Sequence, residues 1–214
     1  IWPGLYRETI SIPDLNVTIQ GVTDPPVVSG GDQAAFSLVG QHGPETLLRN
    51  MIITDSDPAI YCNYAFPTIA NLTVVQNAGG IVSQPPEPLI SNCIFWDNAW
   101  DLWGCSASFS CLATLDVESQ NRGSFADNPL FVNGDTGDFH LQSRGGRYDM
   151  QTGKWVLDFQ TSPCVDRGDP SSSPECEPYP GGGEINVGAY GGTPYASKRP
   201  PVPGADTADP GLAR

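Results

Sequence analysis

The chain has 214 residues, 24 of them Asp or Glu and 10 Lys or Arg, for a net charge of −14. Such a surface repels phosphate backbones and anionic lipid, which excludes nucleic acid as a partner, and no apolar run approaches the ~18 residues of a membrane span, which argues against membrane insertion. Gly (24) and Pro (21) are the poorest helix formers, and their abundance beside only 16% charged residues excludes a helical bundle.

In chain order, Ile10 and Ile12, then Val17 and Ile19, alternate with polar neighbours as short strands. The Pro/Gly-rich stretch from Thr23 to Gly31 reads as a loop that bulges out. Segments 36–39 and 46–48 complete a longer first coil. From Arg49 onward the chain repeats every 21 residues. Asn50, Asn71 and Asn92 fall in register, as do Ile60, Ile81 and Leu102, and, within one residue, Ile69, Ile90 and Leu112. Each row carries three short β-branched or aromatic segments separated by Gly, Pro, Asn and Asp, which predicts three strands and three turns per row. No segment of ten residues carries the 3.6-residue period that a helical repeat needs.

Repetition at this length signals stacked coils, and stacking these rows places each strand ~4.8 Å from its equivalent in the next. The fold class is therefore all-β, a right-handed parallel β-helix with a loop-rich C-terminal module. Asn50, Asn71 and Asn92 either build a structural ladder of side-chain amides or occupy a left-handed corner that Asn tolerates. Beyond the third row, 114–117, 129–132 and 138–141 read as final coils, and 145–160 as an excursion carrying Trp155 and Val156. The expected units are coils over 1–144, a C-terminal module over 145–197 packed on the last coils, and a Pro-rich extended tail over 198–214.

Six cysteines offer no CxxC pair, and with only His42 and His140 available they do not form a zinc site. Cys105 with Cys111, and Cys164 with Cys176, bracket short loops and are the disulfide candidates of an exported chain; the alternative is buried free thiols. Asn16 and Asn71 head formal glycosylation sequons. These features predict an extracellular or cell-surface protein whose signal peptide lies outside this chain.

Several motifs go further. Trp2-Pro3-Gly4-Leu5-Tyr6 and Ser91-Asn92-Cys93-Ile94-Phe95-Trp96 precede a C-terminal run containing Asn128-Pro129-Leu130-Phe131-Val132, Gly137-Asp138-Phe139-His140-Leu141, Ser162-Pro163-Cys164-Val165-Asp166-Arg167-Gly168-Asp169-Pro170 and Ile185-Asn186-Val187-Gly188-Ala189-Tyr190-Gly191-Gly192. Together they resemble right-handed β-helix repeat proteins of the pectate-lyase-like superfamily, in a secreted bacterial subfamily mostly of unassigned function. The resemblance runs from Trp2 to about Ser197 and implies the fold. It does not imply one activity, because that superfamily mixes lyases, hydrolases, adhesins and inert scaffolds. Its members usually carry an N-terminal segment with an amphipathic capping helix. Nothing from Ile1 onward forms that helix, so either the chain is a truncated or processed form or its first edge is left to pair with something else.

An enzyme on this fold works on a glycan in a groove along one sheet. A lyase needs Ca²⁺ held by Asp residues and a base, yet between Leu15 and Leu112 the only basic side chain is Arg49 and the only histidine His42. A hydrolase needs two carboxylates ~5 Å or ~6.5–9.5 Å apart. The acid candidates are Asp55 and Asp57 in row one and Asp97 and Asp101 in row three. Asp55 and Asp97 occupy equivalent places two coils apart, ~9.6 Å on the sheet spacing, with Gln76 between them. Asp at a turn more often caps backbone amides.

Asp135 and Asp138 lie in a Gly/Asp-dense stretch that is a weak Ca²⁺ candidate, without the later Glu of an EF-hand. No other cofactor is expected. Trp96, Trp100 and Trp103 are candidates for a sugar-stacking platform or a protein contact, with strand alternation turning some of them inward. Three functions follow: a non-catalytic surface or matrix protein that binds an extracellular glycan; the same scaffold self-assembling head to tail into filaments, with itself as partner; or a polysaccharide lyase or glycoside hydrolase.

Overall fold

The structure, a computed structural model, describes residues 1–201; the rest of the expected tail, 202–214, lies outside the described residues. The first coil holds β1 (Leu5–Arg7), β2 (Ile10–Ile12) and β3 (Thr18–Gln20). Next come β4 (Val27–Ser29), β5 (Phe36–Val39) and β6 (Leu47–Thr54), then β7 (Ile60–Asn63) and β8 (Thr68–Val75). β9 (Ile81–Gln84), β10 (Leu89–Ser91) and β11 (Ile94–Trp96) precede the short β12 (Leu102–Trp103), β13 (Ala107–Ser108) and β14 (Cys111–Leu112). All of these pair in parallel as a β-solenoid of about five turns.

Leu5, Val27, Ile52, Thr73, Ile94 and Cys111 lie side by side, separated in sequence by 22, 25, 21, 21 and 17 residues. A second row runs Ile10, Phe36, Ile60, Ile81, Leu102. A third runs Ile19, Leu48, Ile69, Ile90, Ala107. The third row departs from the sequence register, since Ile90 stands beside Ala107 while Leu112 stands beside Phe95. The Pro85–Pro88 bulge between β9 and β10 has no counterpart after β12, where Gly104 turns the chain at once with φ 70°. The loop expected at 23–31 also contains a strand: the β-branched pair Val27-Val28 lets β4 insert between β1 and β6.

Inward-facing Phe36, Leu38, Met51, Ile60, Leu72 and Phe95 are fully buried and belong to one core cluster running through the coils. Two left-handed corners bracket the Ile52 row in each of the three 21-residue coils. Asn50, Asn71 and Asn92 form one, with φ 54°, 49° and 55°; Asp55, Gln76 and Asp97 form the other, with φ 48°, 57° and 54°. Short polar side chains tolerate that conformation, which explains why Asn and Asp recur there.

After β14 the helix α1 (Val117–Asn121) starts at Asp116, whose side chain accepts from the Ser119 amide at 2.9 Å. Ser119 in turn accepts from the Ala107 amide at 3.1 Å, so α1 covers the edge of the last coil.

The strands read as final coils take another course. β15 (Phe131–Asn133) and β16 (Asp138–Leu141) pair antiparallel, as do β17 (Arg147–Asp149) and β18 (Lys154–Val156). They fold back onto the outside of the solenoid because the Ile52 row is apolar on both faces. Outward-facing Ile52, Val75, Ile94 and Cys111 are covered by Phe139, Leu141, Val187, Ala189 and Tyr190. The start of the expected tail stays on this module: the amide of Lys198 donates to Gly146 at 2.8 Å and that of Arg199 to Pro180 at 2.9 Å. Among the described residues no helix is long and apolar enough to cross a membrane.

Candidate functional site

The corner asparagines do not bond to one another. Asn50 donates from Nδ2 to the carbonyls of Ala189 and Gly191, both at 2.9 Å, and Asn71 to those of Asn186 and Gly188 at 3.1 and 3.3 Å. Asn92 accepts from the Asp169 amide at 2.7 Å and donates to Ser172 Oγ at 3.1 Å. In place of the expected ladder, three stacked amides therefore clamp the C-terminal module to the solenoid. Asn71 is buried and both its amide hydrogens are engaged, so its sequon is not open to glycosylation in this fold; Asn16 is exposed. The module fills the outer face of the Ile52 row, so no groove is open along it.

The acid candidates are distributed as follows. Asp55 and Asp97 do stack through Gln76, as the Asp55 amide donates to Gln76 and that of Gln76 to Trp96, both at 3.3 Å. Both Asp residues are exposed, as is Asp57, and Asp55 accepts from Ser29 Oγ at 3.0 Å. Asp101 is buried and accepts from Asn98 and the Thr114 amide, both at 3.1 Å; burial pushes its pKa up. It holds a turn. Asp138 accepts from the His140 ring at 2.7 Å and is not brought into a cation site with Asp135, which lies in the 3₁₀ turn Gly134–Thr136. Among the described residues no three Asp, Glu, His or Cys groups are arranged to hold a metal ion.

All six cysteines are free. Neither expected disulfide is present. Cys105 faces the interior, where its charge would raise the pKa of Cys62, while Cys111 lies on the outer face against Cys164. Cys164 is buried and Cys176 exposed. Burial pushes Cys62, Cys93 and Cys105 each up to about 12.

The tryptophans separate. Trp96 is half-buried against the clusters under the C-terminal module. Trp100 and Trp103 meet edge to face with centroids 6.5 Å apart. Trp100 lies flat on the preceding coil, where only a glycine fits: a Cβ on Gly79 would stand 2.0 Å from its ring. Trp103 is 70% exposed. It ends an outward row on the second sheet, in which Ser11, Ser37, Tyr61, Val82 and Trp103 stand side by side on successive coils. At the ends of the same strands, Tyr64, Phe66 and Pro86 line a cleft of about 500 Å³ with His42 at its wall. His42 is buried with Nε2 3.2 Å from the Ile12 carbonyl, so it belongs to the wall of the cleft.

A second cavity, of about 400 Å³, opens at the seam between solenoid and C-terminal module. It is lined by Asp24 from the loop after β3, by Asp138 and His140 on β16, by Asp149 at the end of β17 and by Tyr190. The Asp138 carboxylate can only accept, so His140 Nδ1 carries the hydrogen between them, and Nε2 is an acceptor whenever the ring is neutral. That Nε2 and Asp24 Oδ1 are both buried without a partner among the described residues. Burial raises the pKa of Asp24, against the charge of His140 and a hydrogen bond from Tyr190. Burial opposes ionisation of Asp138 too, but the hydrogen bond and charge of His140 hold it below the usual carboxylate value. Asp24 and His140 are not paired by any pattern in the sequence: they lie in separate segments that only the folding-back of β16 brings together.

Comparison of the chain with family models, with curated proteins and with solved structures found no match.

Proposed function

We propose that the protein is a secreted, non-catalytic β-solenoid of the pectate-lyase-like type that binds an extracellular glycan across its second sheet. The observation that supports this most is the outward row Tyr61–Val82–Trp103, extended sideways by Trp100. A parallel sheet repeats this row every ~4.8 Å, giving a flat, partly aromatic surface on which sugar faces stack while Ser37 and Ser11 continue it as hydroxyls. The cleft of Tyr64, Phe66 and Pro86 prolongs the aromatic surface at the strand ends. The outer face of the Ile52 row is closed by the C-terminal module and offers no open surface to a glycan.

Head-to-tail filaments are less well supported, because α1 lies across the last coil and would have to leave before another solenoid could stack there. The test is sedimentation with insoluble polysaccharides, cellulose and chitin among them, comparing wild type with Trp103→Ala. Trp103 is exposed, so the variant is expected to fold as wild type and to lose at least tenfold in binding. Equal binding by the two proteins, or no binding of any polysaccharide, would remove the glycan reading. Release of shortened, soluble sugars would replace it with catalysis.

A further inference from the structure

The seam cavity has no part in the glycan surface on the second sheet, and its donors and acceptors do not balance. Asp24, Asp138 and Asp149 bring three carboxylates to it. Tyr190 hydrogen-bonds the Asp24 carboxyl, yet two buried polar atoms of the cavity, Asp24 Oδ1 and His140 Nε2, lack a partner, and both are acceptors when Asp24 is ionised and the His140 ring is neutral with its hydrogen on Nδ1. His140 is 5% exposed and lies against Tyr190 with ring centroids 3.9 Å apart, so its lone pair is held in place and away from bulk water.

A ligand that answers these groups must donate, not accept. An anion meets three carboxylates. A water, or a neutral sugar with two hydroxyls in reach, supplies two hydrogens but leaves the carboxylate charge unanswered. A bare metal ion finds no set of three ligands among the described residues. A primary ammonium carries three N–H donors and a positive charge, enough for both orphaned atoms with one hydrogen left for Asp149 or water.

We propose that the seam cavity is a binding site for a primary ammonium group carried by an amino sugar, with Asp24 and His140 Nε2 receiving its N–H bonds. The ammonium follows from the cavity alone; the sugar that carries it rests on the glycan reading above. About 400 Å³ accommodates a ligand of monosaccharide size. Acetylation of the amine abolishes the charge, so N-acetylglucosamine is expected to bind more weakly.

The experiment is isothermal titration of the intact protein with D-glucosamine, D-glucose, N-acetyl-D-glucosamine and putrescine at pH 7. Glucosamine is expected to bind at least tenfold more tightly than glucose or N-acetylglucosamine, and more tightly than putrescine. Asp24→Asn keeps the shape and removes the charge, and is expected to weaken glucosamine binding at least tenfold. Asp149→Asn, at the rim, lowers it less and serves if Asp24→Asn does not fold. Trp103→Ala, on the other sheet, leaves glucosamine binding unchanged even if it abolishes polysaccharide binding, so the two sites fail separately.

Absence of glucosamine binding overturns the proposal, as does equal binding of glucose and glucosamine or wild-type affinity in both Asp24→Asn and Asp149→Asn. Tighter binding of putrescine than glucosamine would overturn the sugar assignment. Loss of glucosamine binding in Trp103→Ala would move the ligand to the other sheet.

Discussion

The side-chain amide of Asn50 reaches the carbonyl of Gly191, 141 residues further along the chain, at 2.9 Å. One coil on, Asn71 makes the same kind of contact, with Nδ2 shared between Asn186 and Gly188. The repeated Asn thus has two jobs: its φ near +50° turns the corner, and its amide docks the module that closes the sheet.

These two jobs are separable by substitution. Asn71→Ala loses both and is expected to cost about 2–4 kcal/mol, from two carbonyls left buried without donors and from losing the short polar side chain that eases the left-handed conformation. Asn71→Gly keeps the corner and is expected to recover about 1 kcal/mol of that. Urea unfolding measures both, and limited proteolysis of the stretch around Asn186–Gly191 reports the docking. Equal stability of the Ala variant and wild type would show that the amide contacts contribute nothing.

The contact of Trp100 with Gly79 gives a steric prediction. An alanine methyl at 79 would stand 2.0 Å from the indole, so Gly79→Ala must displace the ring, at about 1–3 kcal/mol. In the background of Trp100→Ala the same substitution is expected to be nearly neutral. A double-mutant cycle by thermal unfolding checks this, and additive costs would place the ring elsewhere.

The thiols predict a simple count. Only Cys176 is exposed, while Cys62, Cys93 and Cys105 are pushed up to about 12 by burial and Cys164 is raised by the same cause. Native protein is therefore expected to release one equivalent of chromophore promptly from an aromatic disulfide reagent at pH 8, and six after denaturation. A denatured count below six would indicate a bridge, with Cys111 and Cys164 the pair to map first.

The solenoid is legible in the sequence because its signal repeats: three asparagines and three aliphatic residues 21 apart fix a coil length that no single strand would reveal. The register fails at Leu112 because the shortening there has only a lone Gly104 to announce it. The C-terminal module departs from the expected final coils for a different reason. Apolar runs such as Met51-Ile52-Ile53 and Leu72-Thr73-Val74-Val75 lack alternation, the mark of strands covered on both faces, and to that extent the amino-acid pattern itself calls for a cover. What covers the sheet is not legible, because Phe139 and Tyr190 lie 87 and 138 residues from Ile52 and no local pattern links them. The seam cavity shares that origin.

Glu177 carries the clearest pH dependence. Its Oε1 accepts from the amides of Asn186 and Gly192, both at 2.8 Å, in the loop that the corner asparagines clamp. Burial nevertheless raises its pKa from 4.5 to about 7, with the charge of Asp166 adding to the rise. The folded-state value lies above the unfolded one, so the folded chain keeps a proton that the unfolded chain loses. The associated stability is fully present below about pH 4.5 and is lost as pH rises through about 7, amounting to about 3 kcal/mol at most.

Glu177→Gln keeps an acceptor for both amides and cannot ionise, so it is expected to match wild type at pH 4 and to exceed it at pH 8. Asp24, Asp101 and Asp166 are shifted in the same direction and Asp138 in the opposite one. The difference between the two proteins, not either curve alone, therefore isolates Glu177. Urea unfolding from pH 4 to 8 measures that difference. Two parallel curves would mean that Glu177 ionises alike in the folded and unfolded chain, and that the loop at 186–192 is held by the asparagine clamps without help from this proton.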